Sequence, residues 1–394
     1  MCYISSCLER KEYLCLCMKK LYIFNPENDM ALASGSPYYM APSSAKKMAN
    51  DLAVLPAWYA DAGSEILVND SRQMEWLRNG CRLPLAVTGV LTVSDEHEEI
   101  VPWGWSPALK HRLGVGVKKE IDVDALRLLS SRVTAVNLLP KLRMEGTVGE
   151  SFWLSSLEKV CAFSIKHDRV LLKAPWSGSG KGIQPLCGLP DDNLKGWIRR
   201  TIATQGGVVA EPFYAKVKDF AMEFKVEGQD VSFVGYSLFE TDARGIYKEN
   251  FLASDVTIEN ILSEYVSRDL LNAVRENLLR ELAGVLGGNY QGYLGVDMMV
   301  VRCGEAYFVH PCIEVNLRMN MGVVSRLLFD RFIVPDAVGR YAIEFFPQRG
   351  EALKAHESFM AQYEWVMEGG LLRSGYLPLV PVFEDTNYLI YVAV

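Results

Sequence analysis

Short apolar runs alternate with amphipathic helical stretches over the first 120 residues of the chain. The pattern predicts strands near residues 20–24, 65–68 and 84–93, with helices near 43–55 and 71–79 between them. A further helix opens at Ser106-Pro107, since Ser suits the cap and Pro the first helical position. This alternation of strand and helix favours a small parallel α/β domain over residues 18–120.

Longer strands dominate after a helical region at 122–142. The pattern predicts strands near 169–174, 183–187, 207–213, 218–227, 230–240, 292–302 and 305–316, and helices near 191–204, 267–286, 321–330 and 336–346. The end of the chain is less regular and predicts a helix at 357–367 and an edge strand at 387–393. The short turns at 227–230 and 303–304 each join two strands, which indicates antiparallel hairpins.

Composition narrows the class of protein. The 394 residues are 49% hydrophobic and 23% charged, which is typical of a globular protein of two or three domains. The net charge is −7, and Lys and Arg are spread along the chain, so a nucleic acid is not expected as a partner. No run of 18 apolar residues predicts a membrane span.

The cysteines and the N-terminus bear on location. The nine cysteines are scattered without a CxxC pair, which disfavours a zinc site and indicates reduced thiols in the cytoplasm. Residues 1–17 contain Glu9-Arg10-Lys11-Glu12 and lack an unbroken apolar stretch, so they do not resemble a secretory signal. We expect a disordered or mis-assigned tail there, because Met18-Lys19-Lys20 before an apolar run is typical of a protein start.

A first motif of chemical interest is the loop at 173–182, Lys-Ala-Pro-Trp-Ser-Gly-Ser-Gly-Lys-Gly. Its glycines allow backbone N–H groups to approach a phosphate closely. It is neither a Walker loop, since Pro175 and Gly182 replace the required Gly and Ser or Thr, nor a kinase loop, since Lys173 precedes the glycines. A plain hairpin turn is the alternative interpretation.

A second motif joins Asp297 on one strand to Glu314-Val315-Asn316-Leu317-Arg318 on the next. Alternation along a strand places Glu314, Asn316 and Arg318 on one face. Two carboxylates and an amide oxygen suit Mg²⁺, and Arg318 beside them suits a phosphoryl group. The alternative is an edge strand with a solvated polar face.

A third motif is the apolar strand that ends at Glu211-Pro212-Phe213, with Asp219 after it. Such a strand before a new domain indicates a hinge whose backbone can read an adenine edge, while Asp219 can accept ribose hydroxyls. An ordinary structural strand explains the same residues.

The order of these motifs resembles the ATP-grasp superfamily over about residues 130–320. The resemblance implies that Lys173 contacts the inner phosphates and that a lid loop is formed by Ser177, Gly178, Ser179, Gly180, Lys181 and Gly182. It implies that adenine is held by Glu211, Pro212 and Phe213, and the ribose by Asp219. It also implies that two Mg²⁺ ions, with Mn²⁺ as an alternative, are bound by Asp297, Glu314 and Asn316, and that Arg318 stabilises the transferred phosphate. Lys173 and Arg318 would be the catalytic cations.

The chain departs from the family pattern at two places. Arg132 stands where relatives carry Lys, and it can still pair with a phosphate. His310-Pro311-Cys312 lengthens the segment between Asp297 and Glu314, and since Pro311 cannot donate to a ladder we expect a bulge there.

The resemblance also implies a fold and a domain order. We expect an α/β fold, with α+β character in the lid: an N-terminal parallel domain at 18–120, a helical linker and lid at 121–213, a central antiparallel domain at 214–346 and a C-terminal extension at 347–394. The loop at 25–29 follows the first strand, at an edge where α/β domains bind ligands.

The implied activity is that of an ATP-dependent ligase that activates a carboxylate as an acyl phosphate for attack by an amine. Both substrates are expected to be small molecules or peptides, and the sequence indicates neither their identity nor the oligomeric state. A small-molecule kinase and a non-catalytic Mg-ATP-binding module remain as alternatives.

Overall fold

The computed structural model describes residues 19–114, 120–177, 182–241, 247–286 and 288–394. The tail predicted at 1–17 and the lid residues Gly178, Ser179, Gly180 and Lys181 lie outside these residues. The first sheet has four parallel strands in the order β3-β2-β1-β4. Its strands are β1 (Lys20–Ile23), β2 (Glu65–Leu67), β3 (Thr88–Val90) and β4 (Glu99–Pro102). The predicted parallel sheet is therefore present, and β4 forms one of its edges.

Four short helices accompany this sheet, and three of them interrupt the connections between its strands. They are α1 (Asn28–Ser34), α2 (Ser43–Asp51), α3 (Ser71–Glu75) and α4 (Pro107–Leu113). The side chain of Ser106 caps α4 by accepting from the Leu109 N–H, as its sequence predicts. Helix α1 begins at Asn28, so the predicted loop at 25–29 is helical in its second half.

The helical region expected at 122–142 is broken rather than continuous. It forms α5 (Val123–Leu129), α6 (Arg132–Leu138) and a 3₁₀ turn at Leu139–Leu142. The break has a local cause, because the Ser131 side chain accepts from the Val133 N–H and so caps a new helix. As a result, Arg132 is the first residue of α6.

A second, four-stranded sheet follows in the order β5-β8-β6-β7. It consists of β5 (Phe152–Leu154), β6 (Val170–Lys173), β7 (Ile183–Leu186) and β8 (Val208–Pro212), with α7 (Leu157–Lys166) and α8 (Asp192–Gln205). All its pairs are antiparallel. Its small apolar core is separate from the two larger ones.

The largest sheet has eight strands in the order β13-β12-β9-β10-β11-β14-β18-β17. Its strands are β9 (Lys216–Glu227), β10 (Asp230–Thr241), β11 (Tyr247–Leu252), β12 (Gly292–Cys303), β13 (Ala306–Asn316), β14 (Gly339–Phe345), β17 (Tyr376–Pro378) and β18 (Tyr388–Ala393). The helices of this part are α9 (Asp255–Leu262), α10 (Arg268–Leu286), α11 (Met321–Phe332) and α12 (Glu351–Gln362), and β15 (Val366–Glu368) pairs with β16 (Leu371–Ser374) in a small ribbon. The two predicted hairpins are β9–β10 and β12–β13.

Two expectations for the end of the chain are wrong. The segment predicted as a helix at 336–346 contains strand β14, and the predicted edge strand at 387–393 is β18, which lies between β14 and β17. The two-residue period of β14 was present in the sequence, because Tyr341, Ile343 and Phe345 alternate with Arg340 and Glu344. The boundary drawn at 346/347 thus runs through one continuous sheet.

The first and last parts of the chain share a core. Trp58 is fully buried, donates from Nε1 to the Leu379 carbonyl at 2.6 Å and packs edge-on against Phe332. The cluster around it runs from Tyr22 to Val392. Within the described ranges, no helix has the length and apolar content to cross a membrane.

Because β18 is internal, removing it should unfold the protein. A chain ending at residue 386 exposes the edges of both β14 and β17, so we expect loss of cooperative thermal unfolding, measured by circular dichroism. The control Tyr391→Phe loses only the hydrogen bond to Glu344 and should cost about 1 kcal/mol. Cooperative unfolding of the shortened chain would show that β18 is dispensable.

Candidate functional site

Lys173 and Glu211 form a buried ion pair between two neighbouring strands. They lie on β6 and β8, and Lys173 Nζ is 2.5 Å from Glu211 Oε2. Ser151 Oγ donates to the other carboxylate oxygen at 3.1 Å. Both side chains are almost completely buried, and burying two charges is costly unless they are paired and hydrogen-bonded. Glu211 therefore fixes the orientation of the Lys173 ammonium at the end of β6.

Arg132 connects this region to the large sheet. One guanidinium nitrogen, Nη1, donates to the Ala174 carbonyl and to Ser177 Oγ, each at 2.6 Å. The other, Nη2, donates to Glu314 Oε2 at 2.9 Å. Arg132 Nε is buried and has no hydrogen-bond partner among the described residues. A buried donor left unpaired is costly, which indicates a position that another acceptor can occupy.

Asp297 and Glu314 face each other directly across β12 and β13. The register shifts between Asp297 and Met299, where β13 carries the extra residues at 311–313, so the predicted bulge is confirmed. Burial, followed by the charge of Glu314, raises the pKa of Asp297 to about 7. Two carboxylates this close are unfavourable unless cations or hydrogen bonds balance them.

Asn316 and Arg318 complete this row. Asn316 Nδ2 donates to Asp297 Oδ2 at 3.1 Å, and Arg318 Nη2 donates to Asn316 Oδ1 at 3.1 Å. Arg318 also makes a bidentate pair with Asp29 of α1, with both nitrogen–oxygen distances 2.8 Å. Burial opposes the charge of Arg318, but Asp29, Glu314 and Asp297 outweigh it and raise its pKa above the ordinary value.

The two groups of charges surround one buried thiol, that of Cys312 on β13. Burial, then the carboxylates of Asp297 and Glu211, raise the pKa of this thiol, whereas the ammonium of Lys173 lowers it. Residues 175–177, which follow Lys173 closely in the chain, line one small pocket together with residues 314–318. Arg132 joins the same two parts through Ala174 and Glu314, which are about 140 positions apart in sequence.

The other residues predicted from the sequence make fewer contacts with these groups. Gly182 marks the base of the lid loop: its carbonyl accepts from the Ala174 N–H at 2.8 Å, and a Cβ there would meet Ser177 Oγ at 2.2 Å. The N–H of Phe213 already donates to the Arg169 carbonyl, and Pro212 has no N–H, so these two residues offer a base no free backbone donor. Asp219 accepts from Lys216 and Thr241.

Glu223 is a residue of this region that sequence reasoning missed. It lies on β9 opposite Gly295, is 1% exposed, and accepts from Asn320 Nδ2 at 2.9 Å. A Cβ on Gly295 or Gly322 would meet a carboxylate oxygen of Glu223 at 2.5 or 2.1 Å, so both glycines make room for it. Burial raises the pKa of Glu223 to about 8. A lone Glu in the apolar run Phe220-Ala221-Met222-Glu223-Phe224 was the available signal.

His310 is the second unexpected feature. Its ring is completely buried on β13, and neither nitrogen has a hydrogen-bond partner among the described residues. Burial lowers its pKa to about 4, so the ring is neutral at ordinary pH. A Cβ on Gly149 would meet its Nε2 at 2.7 Å, and Tyr214 packs edge-on against it. His310 is therefore a buried neutral ring that packs against Gly149 and Tyr214.

The acidic row fits a hard divalent cation. Two carboxylates and an amide group converge on one side of β12 and β13, and oxygen donors are what Mg²⁺ prefers. In the described ranges no three His, Cys, Asp or Glu side chains cluster closely enough to hold a metal by themselves. Any metal at this position would therefore need Asn316 or a ligand oxygen in addition to Asp297 and Glu314.

Comparison with solved structures identifies the architecture. The chain superposes over 95% of its length on the biotin carboxylase–β-γ-ATP complex from Campylobacter jejuni, at 12% identity and a TM-score of 0.53, and it covers 87% of that chain. It also matches an ADP complex of N5-carboxyaminoimidazole ribonucleotide synthetase, at 10% identity, a TM-score of 0.51 and 92% of that chain. The chain has the ATP-grasp fold.

A third match supports the same conclusion. The biotin carboxylase domain of Hydrogenobacter thermophilus 2-oxoglutarate carboxylase, in complex with MgADP, ADP and bicarbonate, aligns over 95% of this chain and 86% of its own, at 12% identity and a TM-score of 0.50. No family model and no curated protein matches the sequence. Similarity at this level of identity shows the ATP-grasp fold and leaves the activity to be argued from the residues.

The raised pKa of Glu223 predicts a pH-dependent stability. The folded chain keeps this proton up to about pH 8, whereas the unfolded chain loses it near 4.5. The contribution to the free energy of unfolding is therefore complete below pH 4.5 and is lost as pH rises through 8. Glu223→Gln mimics the protonated form. In urea unfolding, the free energy of unfolding of the variant should therefore rise relative to that of the parent between pH 4.5 and about pH 8.

The control for this experiment is Glu227→Gln at the exposed end of the same strand, which removes a carboxylate paired with Lys225 at the surface. It should leave the pH dependence as in the parent. A parallel pH profile of Glu223→Gln and the parent would contradict the assignment of a retained proton.

Proposed function

We propose that this chain is an ATP-dependent ligase that activates a carboxylate for attack by an amine. The observation that carries the proposal is the bridge that Arg132 makes between Ala174, next to Lys173, and Glu314, which faces Asp297 across the hairpin. Asn316 lies in the same row and contacts Asp297. Fixed cations on one wall and hard oxygen ligands on the other are what a polyphosphate and its magnesium need. The ATP-grasp fold supports the same assignment.

Each wall of the cleft takes one part of the nucleotide. Lys173 neutralises the inner phosphates, and the carbonyls at 212–213 face the adenine amino group. Asp219 accepts from the ribose hydroxyls, and the segment 177–182 closes over the phosphates. Arg132 Nε has no partner in the described part of the chain, and it gains a phosphate oxygen as its acceptor.

Asp297, Glu314 and Asn316 would hold Mg²⁺, one or two ions, with Mn²⁺ as an alternative. The metal supplies charge neutralisation to the outer phosphates. Binding requires these residues to exchange their present partners, since Glu314 accepts from Arg132 and Asn316 contacts Asp297 and Arg318. The deprotonated form of Asp297, whose pKa is near 7, is the form that binds.

The chemistry proceeds in two steps. A substrate carboxylate oxygen attacks the γ-phosphorus, the bond to the bridging oxygen of ADP breaks, and an acyl phosphate forms. An amine then attacks the acyl carbon, phosphate leaves, and the amine loses one proton as the amide forms. Arg318 stabilises the charge on the transferred group, and the closed lid protects the acyl phosphate from water.

Two other functions make different predictions on the same site. A small-molecule kinase would release a stable phosphorylated product, so ADP would form without free phosphate. A non-catalytic module would be stabilised by Mg-ATP without forming ADP. An assay of ADP and phosphate with pooled carboxylates, with and without pooled amines, separates the three, because only the ligase releases phosphate in an amine-dependent way.

Glu314→Gln tests the metal assignment. The amide keeps an oxygen that accepts from Arg132, so the fold should survive, but the charge that the metal needs is lost. We expect ADP formation to fall by a factor of at least about 100, with unchanged thermal unfolding in the absence of nucleotide. Glu305→Gln, at the exposed turn of the same hairpin, is the matched control, and equal turnover in the two variants would refute the assignment.

Asp29→Asn tests whether α1 orients Arg318. The amide keeps one acceptor but loses the bidentate ionic pair, so Arg318 should be misplaced for the transferred group. We expect kcat to fall by about tenfold or more with the KM for ATP within about twofold. Glu27→Gln is the matched control, since Glu27 faces the exposed Arg112 instead. A change confined to the KM for ATP would contradict the positioning role.

A further inference from the structure

A large cleft lies next to the proposed phosphate site and meets it at Leu317 and Arg318. The phosphate-side pocket contains Glu314, Asn316 and Asp29 together with these two residues. The adjoining cleft has a volume of about 950 Å³ and is lined by the same Leu317 and Arg318 on its floor. A ligand in this cleft therefore ends beside the arginine that the proposed function places at the transferred phosphate.

The first sheet borders the cleft with one face at β1, where Lys20 and Tyr22 line it, and with its edge strand β4. All eight consecutive residues from 98 to 105 line it, whereas a strand facing it with one surface would contribute every second residue. Strand β4 is the last strand of its sheet and pairs only with β1 among the described residues. Its outer backbone groups can therefore pair with an extended peptide, up to Pro102, which has no N–H to donate.

The cleft is also aromatic. Six rings line it, which suits the flat faces and side chains of a peptide rather than a small ion; they belong to Tyr22, Tyr59, Trp103, Trp105, Tyr290 and Tyr293. The hydroxyl of Tyr59 is buried, and no group of the described chain pairs with it. Such a hydroxyl is a hydrogen-bonding position that the protein itself leaves open.

The charges of the cleft favour a cation. Seven carboxylates line it, against three lysines and Arg318; the acidic residues are Asp61, Glu98, Glu99, Glu120, Asp122, Asp124 and Glu227. Lys20 is paired with Asp61 and Glu99, Lys225 with Glu227, and Arg318 with Asp29. A peptide with a free amino group and basic side chains is therefore favoured over an acidic one.

We propose that this cleft binds a basic peptide in extended form along β4, and that an amino group of this peptide is the acceptor in the ligation. The inference rests on the proposed function for its chemistry, but binding of the peptide is a separate property. The juxtaposition of an open strand edge, six aromatic rings and a surplus of carboxylates beside Arg318 carries it.

The first experiment measures binding of two pentapeptides to the full chain by calorimetry, with Mg-ATP present and absent. Ala-Lys-Ala-Lys-Ala should bind at least about tenfold more tightly than Ala-Glu-Ala-Glu-Ala, and more tightly than spermine, which has charge but no peptide backbone. Equal binding of the two peptides would overturn the charge argument, and equal binding of spermine would overturn pairing along β4.

Two pairs of variants localise the effect. Tyr59→Phe keeps the ring, removes the unpartnered hydroxyl and should weaken peptide binding by about fivefold without lowering the thermal stability. Tyr236→Phe, a buried tyrosine outside the cleft, should leave binding unchanged. Asp124→Lys in the first turn of α5 should weaken binding by about fivefold, whereas Asp269→Lys in the first turn of α10 should not. Equal effects within either pair would overturn the assignment.

The outcome also separates this inference from the proposed function. If Mg-ATP stabilises the chain and ADP forms with other amines while no peptide binds, the peptide assignment of the cleft is wrong and the ligase proposal is retained. If the peptide binds as expected but Mg-ATP does not, the ligase proposal is wrong and the cleft assignment survives as a peptide-binding site.

Discussion

The site depends on a pair of like charges held face to face. Asp297 and Glu314 occupy one register position of β12 and β13, and that register is fixed by a continuous ladder on either side of the bulge. Two buried carboxylates side by side are unfavourable, and burial together with the charge of Glu314 raises the pKa of Asp297. The fold must supply compensation, and it does so with two arginines that come from outside the hairpin.

Those arginines explain why three distant parts of the chain meet here. Arg132 begins α6 and reaches Glu314, while Arg318 follows β13 and is held by Asp29 from the first sheet. Each arginine makes a second hydrogen bond, Arg132 to the Ala174 carbonyl and Arg318 to Asn316 Oδ1. Neither side chain can therefore move without breaking that second bond as well. The charge cluster therefore joins the three sheets, and its members are only stable together.

Much of this was predictable because strands fix spacing. Glu314, Asn316 and Arg318 share a face by simple alternation, and the bulge followed from Pro311 (a residue that cannot donate to the ladder). Lys173 and the glycines after it were recognisable from the order of motifs. By contrast, the partner of Arg318 lies 289 positions away, and nothing in the sequence indicates a contact at that distance.

The failures have equally local causes. Strand β14 was predicted as a helix although Tyr341, Ile343 and Phe345 alternate with polar residues. Strand β18 was predicted as an edge because its partner β17 is only three residues long. Glu223 was missed because a single Glu in an apolar strand carries no spacing signal, even though Gly295 and Gly322 are both there to admit it. Domain boundaries remain predictions, since the large sheet crosses the last of them.

Arg132 contacts both the acidic pair and the segment that follows Lys173, and this links the events expected at the two places. Under the proposed function, a metal ion at Glu314 competes with Arg132 for the same carboxylate, and Arg132 also binds Ala174 and Ser177. A guanidinium released from Glu314 can keep these two contacts while a phosphate accepts from its remaining donors. Metal binding and the position of Ala174 and Ser177 would then be coupled, because the same guanidinium takes part in both. This coupling gives a physical reason for Arg at position 132: its planar fork serves a carbonyl, a hydroxyl and a carboxylate at once, which a single ammonium does less well.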